Sequence, residues 1–270
     1  MTTTTVETTT TADIRARPAG FLADCLAVAT RSVRAVPREI EFVVPALVVP
    51  VFFYVINVGA LSKAAETGTN LDFKAFQLPV AILFAVTGLS RASALVTDIQ
   101  NGYFDRLLMT PIRRLALLLG LMMADLFLIT TLAVLVTGMG LAIGVRFETG
   151  LPGMVLFIVI AGLWGLAFTG FTYAIALKTG NPAAVNTSFV LFFPLMFLTT
   201  SFLPMEALQP WLQTCARWNP ITYLLQALRS LLYGGWDWYD LVLGFAAIAG
   251  VGLVSMTLAF WALRSRLQRG

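Results

Sequence analysis

The chain has 270 residues, 58% of them hydrophobic and 12% charged, and its mean hydropathy is +0.83. A soluble domain carries roughly 25% charged residues and must show water a polar exterior. An ordinary soluble enzyme is therefore excluded, as is a disordered chain outside one short tail. What remains is an all-α, polytopic membrane protein. The net charge of +4 does not point to nucleic acid, because the basic residues flank apolar runs, as membrane topology requires.

Three features narrow the chemistry. The chain has no histidine, so it carries no zinc protease motif, no Ser/His/Asp triad and no Cys/His dyad. Cys25 and Cys215 lie far apart in unlike contexts and imply no disulfide framework. None of Lys63, Lys74 and Lys178 sits in a G-x-x-x-x-G-K-[ST] phosphate loop. Any ATP this protein uses must be held by another chain. No metal site is expected.

Residues 1–18 form a Thr-rich tail with no apolar core, expected to be disordered and not a signal peptide. Over 19–38, Phe21, Leu22, Cys25, Val28, Ala29, Val33 and Val36 recur at helical spacing, with Asp24, Arg31, Arg34 and Arg38 on the other face. This predicts an amphipathic helix on the membrane surface, separated from the first span by Pro37. Residues 39–270 read as a single transmembrane domain of six spans, near 41–61, 76–97, 115–145, 152–177, 183–203 and 239–263. A spanning helix needs roughly 20 apolar residues. The third run would measure about 45 Å at 1.5 Å per residue, so it is expected to tilt or to project into the cytosol.

With both termini inside, thirteen basic residues fall on or near the cytosolic side and five outside. That asymmetry places the N-terminus and C-terminus in the cytoplasm, and an even number of spans agrees. Two charges fall within spans, Arg91 and Asp125, both in the cytosolic half; an intramembrane pair would lower the cost of each. Gly140 and Gly144 make a G-x-x-x-G in the third span, which permits close helix approach. Residues 204–238 are too apolar for an ordinary outer loop. Pro204, Pro210 and Pro220 cut them into pieces too short to span, which predicts two short re-entrant helices at about 207–217 and 221–233. The tryptophans and tyrosines here suit an aromatic belt at the interface.

Three segments carry a resemblance. They are TDIQNGYFDRLLMTPIRRLALLLGLMMAD (97–125), GVRFETG (144–150) and SFLPMEALQPWLQTCARWNPITYLLQALRSLLYGG (201–235). Together they resemble the permease subunits of ABC exporters of the second type, most of all the daunorubicin-resistance permeases of actinobacteria. The resemblance covers nearly the whole chain after residue 20. It implies that Asp98, Gly102, Tyr103, Phe104, Asp105, Arg106, Leu107 and Pro111 belong to a cytosolic coupling helix that meets an ATPase. Gly102 suits a sharp turn out of the second span, and Tyr103, Phe104, Leu107 and Leu108 supply apolar contacts. The resemblance likewise implies an outer cap involving Pro204, Pro210, Trp211, Asn219, Pro220 and Arg229. Arg229 is expected either to anchor that cap to a headgroup, a carboxylate or helix C-termini, or to snorkel to water.

The function implied is that of the membrane subunit of an ATP-driven exporter in the bacterial cell membrane, moving apolar or amphiphilic molecules such as a drug or lipid outward. Its partners would be the bilayer, a separate ABC ATPase holding ATP and Mg²⁺, and a second permease, identical or a sister. The same fold exporting a polysaccharide or a cell-wall lipid is an alternative. An ion-coupled secondary transporter would need ionisable residues at mid-span, and the first, fourth, fifth and sixth spans have none at their centres. A membrane-embedded enzyme would have too few groups for acid–base or metal work.

Overall fold

The computed structural model describes residue 30 and residues 40–69, 72–87, 90–102 and 114–267. The tail expected over 1–18 and, residue 30 apart, the interfacial helix expected over 19–38 lie outside the described residues. The α-helices among the described residues are α1 (Ile40–Thr69), α2 (Phe73–Thr87), α3 (Ala92–Gln100), α4 (Arg114–Ala142), α5 (Gly150–Thr179), α6 (Pro182–Phe197), α7 (Pro210–Trp218), α8 (Pro220–Arg229) and α9 (Trp238–Leu267). A 3₁₀ turn (Met205–Ala207) precedes α7, and a π turn (Ser230–Gly234) follows α8.

Among the described residues, five stretches are long and apolar enough to cross a membrane: Val44–Lys63, Phe73–Gln100, Leu118–Ala142, Gly150–Thr179 and Trp238–Arg266. They differ in how far the rest of the chain covers them. The second is 69% buried and the first only 11%, so α2 and α3 form the core while α1 lies at the periphery. The axis of the bundle is α5, which packs along α9 and against α4, α2, α6 and α3. Its fully buried Trp164 donates its indole N–H to the Thr87 hydroxyl at 2.9 Å.

Three expected spans differ from what is observed. The second, expected unbroken over 76–97, is interrupted: α2 stops at Thr87 and α3 starts at Ala92. The third ends at Ala142, because Gly144 takes φ +101° and turns the chain. Gly144 therefore lies beyond α4, and Gly140 alone of the G-x-x-x-G serves close approach, against Leu78. The fifth, expected over 183–203, is helical only over the 16 residues Pro182–Phe197, and bends occupy 198–203.

The interruption in the second span coincides with a division of the core. One apolar cluster gathers α2 with α4, α5, α8 and α9 around Leu78, Ile82, Phe157 and Leu228. The other gathers α3 with the remaining parts of α4, α5 and α9 around Leu95, Met122, Tyr173 and Leu263. The first cluster takes in α8, and the second takes in α3, which leads to Gly102.

Candidate transport machinery

The break between α2 and α3 leaves backbone N–H groups without helical partners, and side chains of Asp125 on α4 and of Ser90 in the break itself take two of them. Asp125 on α4, 1% exposed, accepts the Arg91 N–H at 3.0 Å through one carboxylate oxygen and the Ser90 hydroxyl at 3.4 Å through the other. The Ser90 hydroxyl accepts the Ala92 N–H at 3.2 Å and that of Thr172 on α5 at 2.8 Å. Arg91 and Asp125, singled out as charges in apolar runs, are thus adjacent, and Asp125 meets a main-chain donor of Arg91 at the start of a helix.

α3 is a nine-residue rod fixed at both ends. At its far end the Gln100 amide donates to the Gly180 carbonyl of the α5 cap at 3.0 Å. Asn101 and Gly102 then close the helix, their N–H groups bonding the Thr97 and Ile99 carbonyls, with Gly102 at φ +67°. An added Cβ there would meet nothing within 4 Å, so the glycine answers to backbone conformation, not to crowding. Asp98 lies on α3. Tyr103, Phe104, Asp105, Arg106, Leu107 and Pro111 lie outside the described residues.

At the other end of the bundle the prolines start helices, where the sequence had them as breaks. Pro210 and Pro220 occupy the first turns of α7 and α8, where the missing N–H costs nothing. Asn219 joins three elements. Its side-chain oxygen caps α8 through the Ile221 N–H at 3.0 Å, and its amide donates to the Leu195 carbonyl of α6 at 2.6 Å and to the Leu198 carbonyl just after it at 3.1 Å. Pro204 precedes the 3₁₀ turn. Trp211, Trp218, Trp238 and Tyr239 are strongly exposed, as an interfacial belt requires.

Arg229 is held inside the protein. It is 5% exposed. Its Nε donates to the Phe76 carbonyl at 3.2 Å, Nη1 to the Thr200 hydroxyl at 2.9 Å and Nη2 to the Thr200 carbonyl at 2.8 Å, while the guanidinium lies 3.5 Å over the Phe76 ring. One side chain thereby ties α8 to the first turn of α2 and to the irregular stretch after α6. That stretch is satisfied internally as well: the Thr199 and Ser201 hydroxyls both donate to the Met196 carbonyl.

Sequence reasoning assigned no role to segment 144–150 beyond the resemblance. It clamps the end of α8. The π turn frees carbonyls, and the Thr149 hydroxyl takes that of Leu231 at 2.6 Å while the Glu148 N–H takes that of Leu232 at 3.0 Å. Gly144 and Gly150, both at positive φ, bend the loop into reach. The sequence pattern had Gly144 inside a helix, and neither the turn nor its distant carbonyl partners were legible there. Among the described residues no group of Cys, Asp and Glu side chains is arranged to hold a metal ion, and Cys215 is a free, exposed thiol.

These features define a multi-pass membrane permease: apolar spans, one of them broken and pinned by a buried carboxylate, and a pair of short helices tied to the bundle by an arginine. The ABC-2 type transporter family profile matches residues 24–233, and the chain belongs to that family. It is 26% identical over 233 residues to the daunorubicin resistance ABC transporter permease protein DrrB1 of Streptomyces coeruleorubidus, covering 85% of this chain and 79% of that one. It is 26% identical over 219 residues to the probable doxorubicin resistance permease DrrC of Mycobacterium tuberculosis (80% and 79% covered). It is 28% identical over 194 residues to the putative transport permease ycf38 of Cyanophora paradoxa (68% and 66%). The chain is thus a transport subunit, not itself an enzyme.

Proposed function

We propose that this chain is one membrane half of an ATP-driven exporter in the bacterial cell membrane that moves apolar or amphiphilic molecules outward. A second permease, identical or a sister, faces it, and separate ATPase chains holding ATP and Mg²⁺ dock on the cytosolic side. Both termini are cytosolic. The chain crosses six times, α6 completing its passage through the satisfied bends at 198–203. A 16-residue helix reaches only about 24 Å, and those bends supply the remainder of a roughly 30 Å core. α7 and α8 form the outer cap, which Arg229 and Asn219 hold against α2 and α6.

The observation that carries this reading is the broken second span. α3 is a short rod held by side chains at its start and its end, and Gly102 directs the chain straight from it into 103–111. A push on that segment by an ATPase would be delivered to α3, and through Asp125 and Ser90 to α4 and α5. Two-state packing of the spans would then shift with nucleotide binding next door.

The test is the double substitution Tyr103→Ala and Phe104→Ala. The two rings are the largest apolar anchors the segment offers, and interface energy concentrates in such anchors. No spanning residue changes, so membrane yield should hold while co-purification of the ATPase and transport fall at least about tenfold. Normal yield with full assembly and full transport would make the segment a mere connector.

A further inference from the structure

Where α8 meets the starts of α2 and α9 and the stretch 200–206, the bundle holds a cavity of about 240 Å³. Phe76, Thr200, Glu206, Arg229, Asp237 and Asp240 are among the residues that line it. Its depth and its mouth differ in charge. Arg229 is buried, whereas Glu206 and Asp237 are exposed and Asp240 is half-buried. A span begins at the same place, and the stacked, exposed rings of Trp236 and Trp238 stand beside it. Tryptophans of this kind mark the depth of lipid head groups, so the mouth opens into the head-group layer.

Both ends of this cavity have unused hydrogen-bonding capacity. Arginine carries five N–H donors. Arg229 gives three to Phe76 and Thr200, and one N–H on each terminal nitrogen has no acceptor among the described residues. Buried polar groups are nearly always satisfied. Asp237 accepts the Tyr239 and Asp240 N–H groups at 2.9 and 3.3 Å through one carboxylate oxygen, which leaves the other open. Among the described residues none of the carboxyl groups of Glu206, Asp237 and Asp240 has a cationic partner, and they are not arranged to hold a metal ion. The lining therefore offers donors in its depth and acceptors at its mouth. An anion with an ammonium group a few bonds away answers both. Drug-sized ligands occupy roughly 300–1,000 Å³. The cavity is smaller than that, so it takes a head group and not a whole amphiphile.

We propose that this cavity is a binding site for a phosphoethanolamine group, whose phosphate oxygens accept the open Arg229 N–H groups and whose primary ammonium donates to the carboxylates of Glu206, Asp237 and Asp240. Hydrogen bonds between ionised partners are the strong ones. The group comes from a phospholipid of the adjoining leaflet or from a soluble phosphoester of the same chemistry. A choline head group has no N–H to give, and a glycerol head group has no cation, so neither serves the carboxylates. The site is distinct from any path for the carried molecule, and its occupancy does not depend on the exporter reading.

The experiment titrates dioctanoyl phosphatidylethanolamine, phosphatidylcholine and phosphatidylglycerol against the delipidated full chain in detergent, with bound lipid counted by native mass spectrometry. The wild type should bind the ethanolamine lipid about tenfold more tightly than either of the others, the size of one hydrogen bond to a charged group. Glu206→Gln combined with Asp240→Asn keeps both shapes and removes two charges. It should cut the preference to less than about threefold and leave phosphatidylcholine binding unchanged. If the double variant gives no folded protein, Glu206→Gln alone, on an exposed turn, should lower the preference part of the way. The proposal is overturned if the wild type binds the three lipids alike or binds none, or if the full preference survives in the variant that folds. Competition with glycerophosphoethanolamine, the same group without acyl chains, names the source. Displacement of the lipid at equal concentration assigns the site to a soluble phosphoester, and no displacement assigns it to the lipid. None of these results bears on ATPase co-purification, so loss of the site leaves the exporter reading standing, and loss of docking through 103–104 leaves the site standing.

Discussion

Arg229 illustrates how one side chain can organise a membrane protein with no counter-charge in its hydrogen-bonding set. Its five donors form a rigid fork, and three of its nitrogens reach two carbonyls and a hydroxyl on two other elements. Lysine offers a point charge in place of the fork. Arg229→Lys should keep the charge yet lose the simultaneous bonds, lowering stability by about 1–2 kcal/mol. Arg229→Met should cost roughly 2–3 kcal/mol, since it strands the Thr200 carbonyl and hydroxyl. Thr200→Val should cost about 1 kcal/mol alone and almost nothing in the Met background, because the two share one interaction. Thermal midpoints of the purified chains measure all three, and equal midpoints for the Lys and Met variants would refute the fork. The sequence left Arg229 open between anchoring the cap and snorkelling to water. Its carbonyl partners were not legible, since a backbone carbonyl leaves no signature in residue type.

At the level of elements, the break in the second span is the feature that the residue pattern concealed. Residues 76–97 are apolar enough to read as one helix, and no proline marks the interruption. The mark was Asp125, on a different helix. A charge in an apolar run was visible as a cost that required an explanation, and the natural partner was the charge of Arg91. The structure supplies a main-chain N–H of that same residue, 3.0 Å from the carboxylate. The two accounts separate experimentally. If Asp125 serves chiefly as an acceptor for the start of α3, Asp125→Asn should retain most of the yield and stability, because its amide oxygen can accept the same N–H. Asp125→Leu, which leaves that donor bare in a buried site, should cost about 1–3 kcal/mol. If ion pairing with Arg91 dominates, both substitutions should be equally harmful. Melting curves of the two variants, together with dye or drug transport by the assembled complex, decide between them. A stable Asn variant with reduced transport would assign the charge to the moving parts.

For the molecule as a whole, the decisive quantity is how closely the helices approach α5. The membrane class and most of the spans were readable because burying apolar runs in lipid follows from hydropathy alone. Helix contacts were not, because the glycines that enable them have no distinguishing neighbours. The sequence pattern favoured Gly140 and Gly144, yet Gly144 lies past the end of its helix, and the tight crossings on α5 use other positions. A Cβ on Gly170 would stand 2.8 Å from the Ser255 backbone carbon of α9, and one on Gly165 would stand 3.0 Å from the Val86 carbonyl of α2. A Cβ on Gly250, also within α9, would meet nothing within 4 Å. Gly170→Ala must therefore push α9 away from α5 along the largest contact in the bundle, where interiors tolerate little overpacking. It should lower stability by roughly 1–3 kcal/mol. Gly250→Ala changes the same side chain by the same methyl, and should be neutral or stabilising by up to about 1 kcal/mol, because alanine loses less backbone entropy in a helix. The comparison holds helix propensity constant and varies only the approach distance. It is read as membrane yield and thermal midpoint of the two variants side by side. Matching values would mean that α9 yields at no cost, and that α5 does not set the spacing of the bundle.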